Sequence, residues 1–163
     1  MANHIAYLSF GSNLGDRAAQ IAQAGKRLSE EDVHIVQSSS LYETEPVEYT
    51  EQGWFLNSAA QAETDLAPEE LLAVVRTIES EFGRERLIPG GPRTLDIDVL
   101  LYDDLVLHSA DLEIPHPRMR ERRFVLVPLA EIAPNVLHPA LKKTIAELLA
   151  ETKDTSEVRK LEV

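Results

Sequence analysis

With 163 residues, 44% hydrophobic and 27% charged, the chain has the composition of an ordinary globular protein with room for one proper core. Its net charge of −12 argues against general binding to nucleic acid or to anionic membranes. Zero cysteines exclude disulfides, thiolate metal sites and a cysteine nucleophile. No apolar run approaches the roughly 20 residues that span a bilayer. The N-terminus runs into a strand-like segment without the basic region or cleavage site of a signal peptide, so a cytoplasmic location is expected.

Residues 5–10 read as a first strand. A turn follows, Gly11-Ser12-Asn13-Leu14-Gly15-Asp16, in which Ser12, Asn13 or Asp16 could cap a helix. Ile21, Ala24, Gly25 and Leu28 mark that helix to about residue 28. The glycines match no phosphate-loop fingerprint, and the turn reads as structural. A second strand is expected over 33–42, a polar loop over 48–53 and a third strand over 54–64 with Phe55 and Asn57 on one face. Pro68 suits the first position of a helix whose stripe is Leu71, Val74, Val75, Ile78 and Phe82, with Gly83 as its terminator. A charged loop over 84–92 leads into the stretch around which the chain is organised.

That stretch, residues 91–102, begins as a Gly-Pro corner and becomes a strand in which aliphatic residues alternate with carboxylates. Residues two apart on a strand share a face about 7 Å apart, so Asp96 and Asp98 point one way while Ile97 and Val99 point to a core. Such a pair can be no more than the solvated face of a half-exposed strand. Arg93, held by the preceding proline, adds a guanidinium, and carboxylates with arginine suit a metal-bound polyphosphate.

Beyond it, a turn at Asp103-Asp104 and a short returning strand at 105–107 are expected, then a proline-rich segment over 112–117. A helical segment at 125–132 interrupted by Pro128, a short helix at 144–149 and a polar surface tail from about 152 complete the chain. The order is β-α-β-β-α-β with additions, the split β-α-β pattern of an α+β ferredoxin-like fold. The reading is one domain over 1–163 with an antiparallel sheet, helices mainly on one face, and Asp96, Asp98, Phe55 and Asn57 on the other.

Seven of the 11 arginines lie between Arg84 and Arg123, where no lysine occurs, and arginine suits bidentate phosphate recognition as well as surface ion pairs. Phe55 and Phe124 could stack on a ring or fill a core, and the Asn57 amide could read a heterocycle offering both donor and acceptor. His116, between two prolines, reads as a rigid loop residue able to hydrogen-bond a phosphate oxygen.

The chain resembles the 6-hydroxymethyl-7,8-dihydropterin pyrophosphokinase family. The resemblance is carried in order by residues 11–17, 39–47, 55–57, the Gly-Pro-Arg-Thr-Leu-Asp-Ile-Asp stretch at 91–98, and Ile114-Pro115-His116-Pro117-Arg118-Met119. It implies ATP-dependent transfer of a pyrophosphoryl group to a pterin alcohol in folate biosynthesis, with two Mg²⁺ ions on Asp96 and Asp98. It implies catalytic roles for Arg84, Arg93, Asp96 and Asp98, and ATP contacts from Arg84, Arg86, Arg93, Val99, His116 and Arg122. It implies a pterin site of Thr44, Glu45, Val47, Phe55, Asn57 and Phe124, two mobile loops at about 46–54 and 84–92, and a monomer without nucleic-acid or membrane partners. Departures from the family pattern are Gly90 where tryptophan is common, Glu48 where a loop glycine is common, a Phe55 without a hydroxyl, and Asp111 and Glu113 at positions that touch ATP in some relatives. A metal-dependent phosphohydrolase and a non-catalytic nucleotide sensor are the rival readings.

Overall fold

The structure, a computed structural model, describes residues 3–46, 52–83 and 94–161. Strand β1 (His4–Ser12) leads into helix α1 (Arg17–Glu30). Asp16 is the cap among the three candidates, its Oδ1 accepting from the Ala19 N–H at 3.2 Å. Gly15 supplies the left-handed residue of the turn at φ 72°.

The expected second strand divides into β2 (Val33–Ser38) and β3 (Tyr42–Thr44). The break falls at two serines, the first bonding Ala59 partly through its side chain and the second bonding Glu131. Ser39 Oγ accepts from the Ala59 N–H at 2.9 Å, and the Ser40 N–H and hydroxyl both donate to Glu131. Strand β4 (Phe55–Thr64) precedes α2 (Pro68–Glu81), which has Pro68 in its first turn. The Glu70 carboxylate accepts from the Ala67 N–H at 2.9 Å there, and Gly83 at φ 73° closes the far end.

The organising strand is β5 (Asp96–Tyr102). The strand expected to return at 105–107 lies instead at β6 (Leu107–His108) and pairs with β7 (Glu113–Ile114) and not with β5. Helix α3 (Arg123–Ile132) runs through Pro128 without interruption. A ribbon of β8 (Leu137–His138) and β9 (Lys143–Thr144) precedes α4 (Ile145–Glu151), whose Thr144 and Glu147 form a reciprocal capping box. The tail then supplies β10 (Val158–Lys160).

The main sheet is antiparallel with order β10-β3-β4-β1-β5, and β2 pairs β4 beside β3. This is the expected α+β ferredoxin-like arrangement. On one face α1 and α2 bury Ala6, Leu8 and Phe10 of β1 with Leu56, Ala60 and Ala62 of β4 and Ile97 and Val99 of β5. The other face is not left open. Val125, Leu126 and Leu129 of α3, with Ile145 and Leu148 of α4, pack on Ala59, Leu100 and Leu101.

A bulge makes this second core possible. The β1–β5 register shifts between Tyr7 and Leu8, so that Leu101 faces Tyr7 while Val99 faces Leu8. Leu100 is therefore the extra residue, and both leucines enter the second core. Helices thus lie on both faces. Gly11, Asn57, Asp96 and Asp98 lie on this second face, at the end of the sheet beyond Ala59 and Leu100.

Candidate active site

The sheet register brings the site together. Gly11 of β1 pairs with Asn57 of β4 on one side and with Asp96 of β5 on the other. Tyr42 of β3 continues the same row beyond Asn57. Adjacent strands are about 4.8 Å apart, so the amide and the first carboxylate are separated by roughly 10 Å with a glycine between them. Two residues along, Ser9 pairs with Asp98 and with Ala59. The floor is low because Gly11 lacks a side chain. A Cβ there would lie 2.7 Å from Asn57 Oδ1 and 3.8 Å from the Phe55 ring.

Asn57 is buried, and its Nδ2 donates to Thr44 Oγ1 at 2.6 Å. That bond turns Oδ1 toward Gly11. Thr44 is itself only 1% exposed, so the pair is a fixed part of the wall. Phe55, half-buried, stands two residues from Asn57 on the same face. Phe124 in the first turn of α3 packs on the second core, and the Arg122 guanidinium lies 5.5 Å from its ring centroid.

Asp96 and Asp98 are both partly exposed, the Asp98 side chain by 31%. His116 is anchored to their strand by its own N–H, which donates to the Leu100 carbonyl at 3.0 Å. Its Nε2 lies 3.9 Å from Asp98 Oδ1. Its Nδ1 accepts from the Arg118 N–H at 3.2 Å, so in the neutral ring Nε2 carries the proton. Burial first, then the Arg122 guanidinium, pushes His116 down to about 4, against the opposing charge of Asp96. His116 is therefore an uncharged N–H donor at neutral pH. Arg118, Arg120 and Arg122, with Lys143 and Lys153, line an adjoining cleft of about 840 Å³.

The start of β5 is held from beneath by residues absent from the sequence reading of the site. Glu79 of α2 is buried, and its Oε2 accepts from the Ile97 N–H, between the two aspartates, at 2.9 Å. Thr94 Oγ1 donates to the Phe82 carbonyl at 2.6 Å. The available signal was a glutamate in register with the apolar stripe of α2. Asn13, read as part of a structural turn, and Arg17, the residue after that turn, reach the segment before Phe55. Asn13 Nδ2 donates to Gln52 Oε1 at 2.7 Å and to the Gly53 carbonyl at 3.0 Å, and Arg17 Nη1 donates to the Trp54 carbonyl at 3.0 Å.

The structure gathers Thr44, Asn57, Phe55, Asp96, Asp98, His116, Arg122 and Phe124 on one face and end of the sheet. Arg84, Arg86, Arg93 and Val47 lie outside the described residues, as do most of both expected loops. Val99 is 6% exposed with its side chain in the first core, turned from the aspartates, so any contact it makes with a nucleotide is through its backbone. The Glu45 carboxylate accepts from the Glu157 N–H at 2.7 Å and faces the C-terminal segment.

Among the described residues no group of three or more histidines and acids could cage a metal. The carboxylate pair leaves most positions of a six-coordinate ion to water and ligand oxygens, which fits Mg²⁺ with a phosphate and does not fit a structural metal. Among the same residues no helix is long and apolar enough to cross a membrane.

Comparison with known proteins gives a consistent result. Residues 7–134 match the family described as 7,8-dihydro-6-hydroxymethylpterin-pyrophosphokinase (HPPK). The chain is 47% identical over 135 residues to the 2-amino-4-hydroxy-6-hydroxymethyldihydropteridine pyrophosphokinase of Bacillus subtilis, covering 82% of this chain and 81% of that protein. The protein of the same name from Methylorubrum extorquens is 44% identical over 158 residues, 96% of this chain and 98% of that one. Folic acid synthesis protein FOL1 of Dictyostelium discoideum is 48% identical over 142 residues, 87% of this chain. The chain spans about a fifth of the length of the Fol1 relatives, 22% in Dictyostelium and 20% in Schizosaccharomyces pombe. A crystal structure of an HPPK-DHPS in complex with substrates superimposes with a TM-score of 0.72 at 16% identity, over 92% of this chain and 43% of that one. At that identity it establishes the fold alone. With the family match over most of its length and bacterial relatives aligned over four fifths or more of both chains, this chain belongs to the HPPK family.

Proposed function

We propose that this chain, as one domain over 1–163, transfers the pyrophosphoryl group of ATP to the hydroxymethyl oxygen of 6-hydroxymethyl-7,8-dihydropterin, releasing AMP. The supporting observation is the row Asn57–Gly11–Asp96: a heterocycle reader and a metal-type carboxylate share one sheet face, with only a glycine between them. The pterin ring lies against Phe55 and Phe124, with Asn57 Oδ1 accepting from its edge. The hydroxymethyl group then extends over Gly11 toward Asp96 and Asp98.

Asp96 and Asp98 hold two Mg²⁺ ions, which when bound neutralise the phosphate charge and polarise the transferring group. His116 Nε2–H donates to a phosphate oxygen, and Arg122 adds charge beside it. Arg84, Arg86 and Arg93 carry the remaining phosphate contacts in this reading. Asp96 and Asp98 sit on β5, which pairs with β1 and is tied to α2 by the Ile97 N–H donating to Glu79, so the backbone that carries them is fixed before the substrates arrive. The hydroxymethyl oxygen attacks the β-phosphorus in line, one P–O bond forms as the bond to the AMP oxygen breaks, the hydroxyl proton is released, and AMP leaves. No covalent enzyme intermediate is required.

The test is to supply ATP, Mg²⁺ and the pterin alcohol and to identify the nucleotide product. AMP appearing only with the alcohol is the expected outcome. ADP would indicate a simple kinase, and turnover without the alcohol a phosphohydrolase.

A further inference from the structure

The C-terminal segment touches the pterin end of the sheet at two separate places. Strand β10 pairs antiparallel with β3, with Val158 opposite Thr44, Arg159 opposite Glu43 and Lys160 opposite Tyr42. The pairing is extended at both ends: the Glu45 N–H donates to the Glu157 carbonyl at 3.2 Å, and the Leu161 N–H to the Leu41 carbonyl at 2.8 Å. The Glu157 N–H returns a bond to the Glu45 carboxylate at 2.7 Å. These contacts hold the strand that carries Thr44.

The second place is the entry to β4. The Arg159 guanidinium lies 4.5 Å from the centroid of the Trp54 ring, and Glu157 Oε2 accepts from Arg159 Nε at 2.8 Å. Arg17 holds the same residue from α1, through the Trp54 carbonyl at 3.0 Å, while its other amino group lies 3.5 Å from Glu43. Trp54 immediately precedes Phe55, and Phe55 is opposite Thr44 in the β3–β4 pair. One short strand therefore fixes both lips of the place where the ring is expected to sit.

We propose that β10, through Arg159 on Trp54 and Glu157 on Glu45, is a positioning element that sets the spacing of the pterin-reading residues Thr44, Phe55 and Asn57. The inference rests on the functional reading above, since it takes this end of the cleft as the pterin site. Arg159 touches neither substrate. It acts through Trp54, on whose ring its cationic guanidinium lies. The strand is on the outer edge of the sheet and Arg159 is exposed, so its side chain can be changed without disturbing either core.

The experiment is steady-state kinetics of Arg159→Ala, Arg159→Lys, Trp54→Leu and the Arg159→Ala/Trp54→Leu double variant, with melting temperatures measured alongside. Arg159→Ala should raise the KM for the pterin alcohol about 2- to 5-fold, the size expected for an exposed cation–π contact. The KM for ATP and kcat should not change. Arg159→Lys should recover part of the loss, and the double variant should be no worse than Trp54→Leu. Equal changes in both KM values, no change in either, or independent addition of the two substitutions would each overturn the proposal. Asn57→Ala separates this from failure of the underlying reading. If Asn57→Ala leaves the pterin KM unchanged, the site assignment is wrong. If it raises that KM while Arg159→Ala does not, the positioning role alone is wrong.

Discussion

At the level of single residues, the proposed function rests on Gly11 and the two aspartates. Asp96 and Asp98 belong to a strand whose opposite face is core, so shortening them removes no apolar packing. Asp96→Ala and Asp98→Ala should each lower kcat by roughly 10²- to 10³-fold or more while leaving the unfolding midpoint near that of the parent protein. Near-normal turnover by either variant, measured as AMP release, would contradict the metal assignment. Gly11→Ala places a methyl 2.7 Å from Asn57 Oδ1 and must displace the amide. Its KM for the pterin alcohol should rise about 10-fold, the scale of one good hydrogen bond, with the KM for ATP unchanged. The aspartates were legible in the sequence because strand alternation has a period of two and leaves no choice of face. The part played by Gly11 was not, because it depends on which strands flank β1, and that is a property of the sheet order.

Among the elements, β5 and α3 define the two sides of the site, and each is tied down by a carboxylate. Glu79 of α2 accepts from Ile97 N–H in a buried position. Glu79→Ala leaves that donor unsatisfied and should cost about 1–3 kcal/mol in urea denaturation. It should also lower turnover, since Ile97 lies between the aspartates. Glu131 of α3 accepts from the Tyr42 hydroxyl and from both groups of Ser40, which fastens α3 to β3.

Partial burial pulls the Glu131 carboxyl upward, but the bonds from Tyr42 and Ser40 and the charge of Lys160 outweigh it, leaving it below the ordinary 4.5. A group depressed on folding stabilises above its unfolded pKa, and that contribution disappears as pH falls through the folded value. The stability advantage of the parent over Glu131→Gln should therefore shrink between about pH 5 and pH 3, as followed by denaturation. An advantage independent of pH would show that the carboxylate's charge is not what holds the contact. The helices themselves were legible from apolar spacing, Pro68 and Gly83. The division of β2 from β3 was not, because Ser39 and Ser40 break the ladder for partners 20 and 91 residues away.

At the scale of the whole molecule, a chain of net charge −12 carries seven of its 11 arginines in the stretch 84–123, which also contains the carboxylate pair. The split β-α-β order placed the carboxylates and Asn57 on a common face, and the structure bears this out. Helices α3 and α4 on that same face were not anticipated, because the bulge at Leu100 that gives them an apolar floor leaves no mark in a run of aliphatic residues. They bring Phe124, with Arg122 beside its ring, to the same face of the sheet. The most direct test is a crystal structure with Mg²⁺, a non-hydrolysable ATP analogue and the pterin alcohol. The account requires ions within coordination distance of Asp96 and Asp98, the ring at Asn57, and the hydroxymethyl group crossing Gly11 toward the β-phosphorus. Ions held away from those carboxylates, or a ring seated elsewhere, would contradict it.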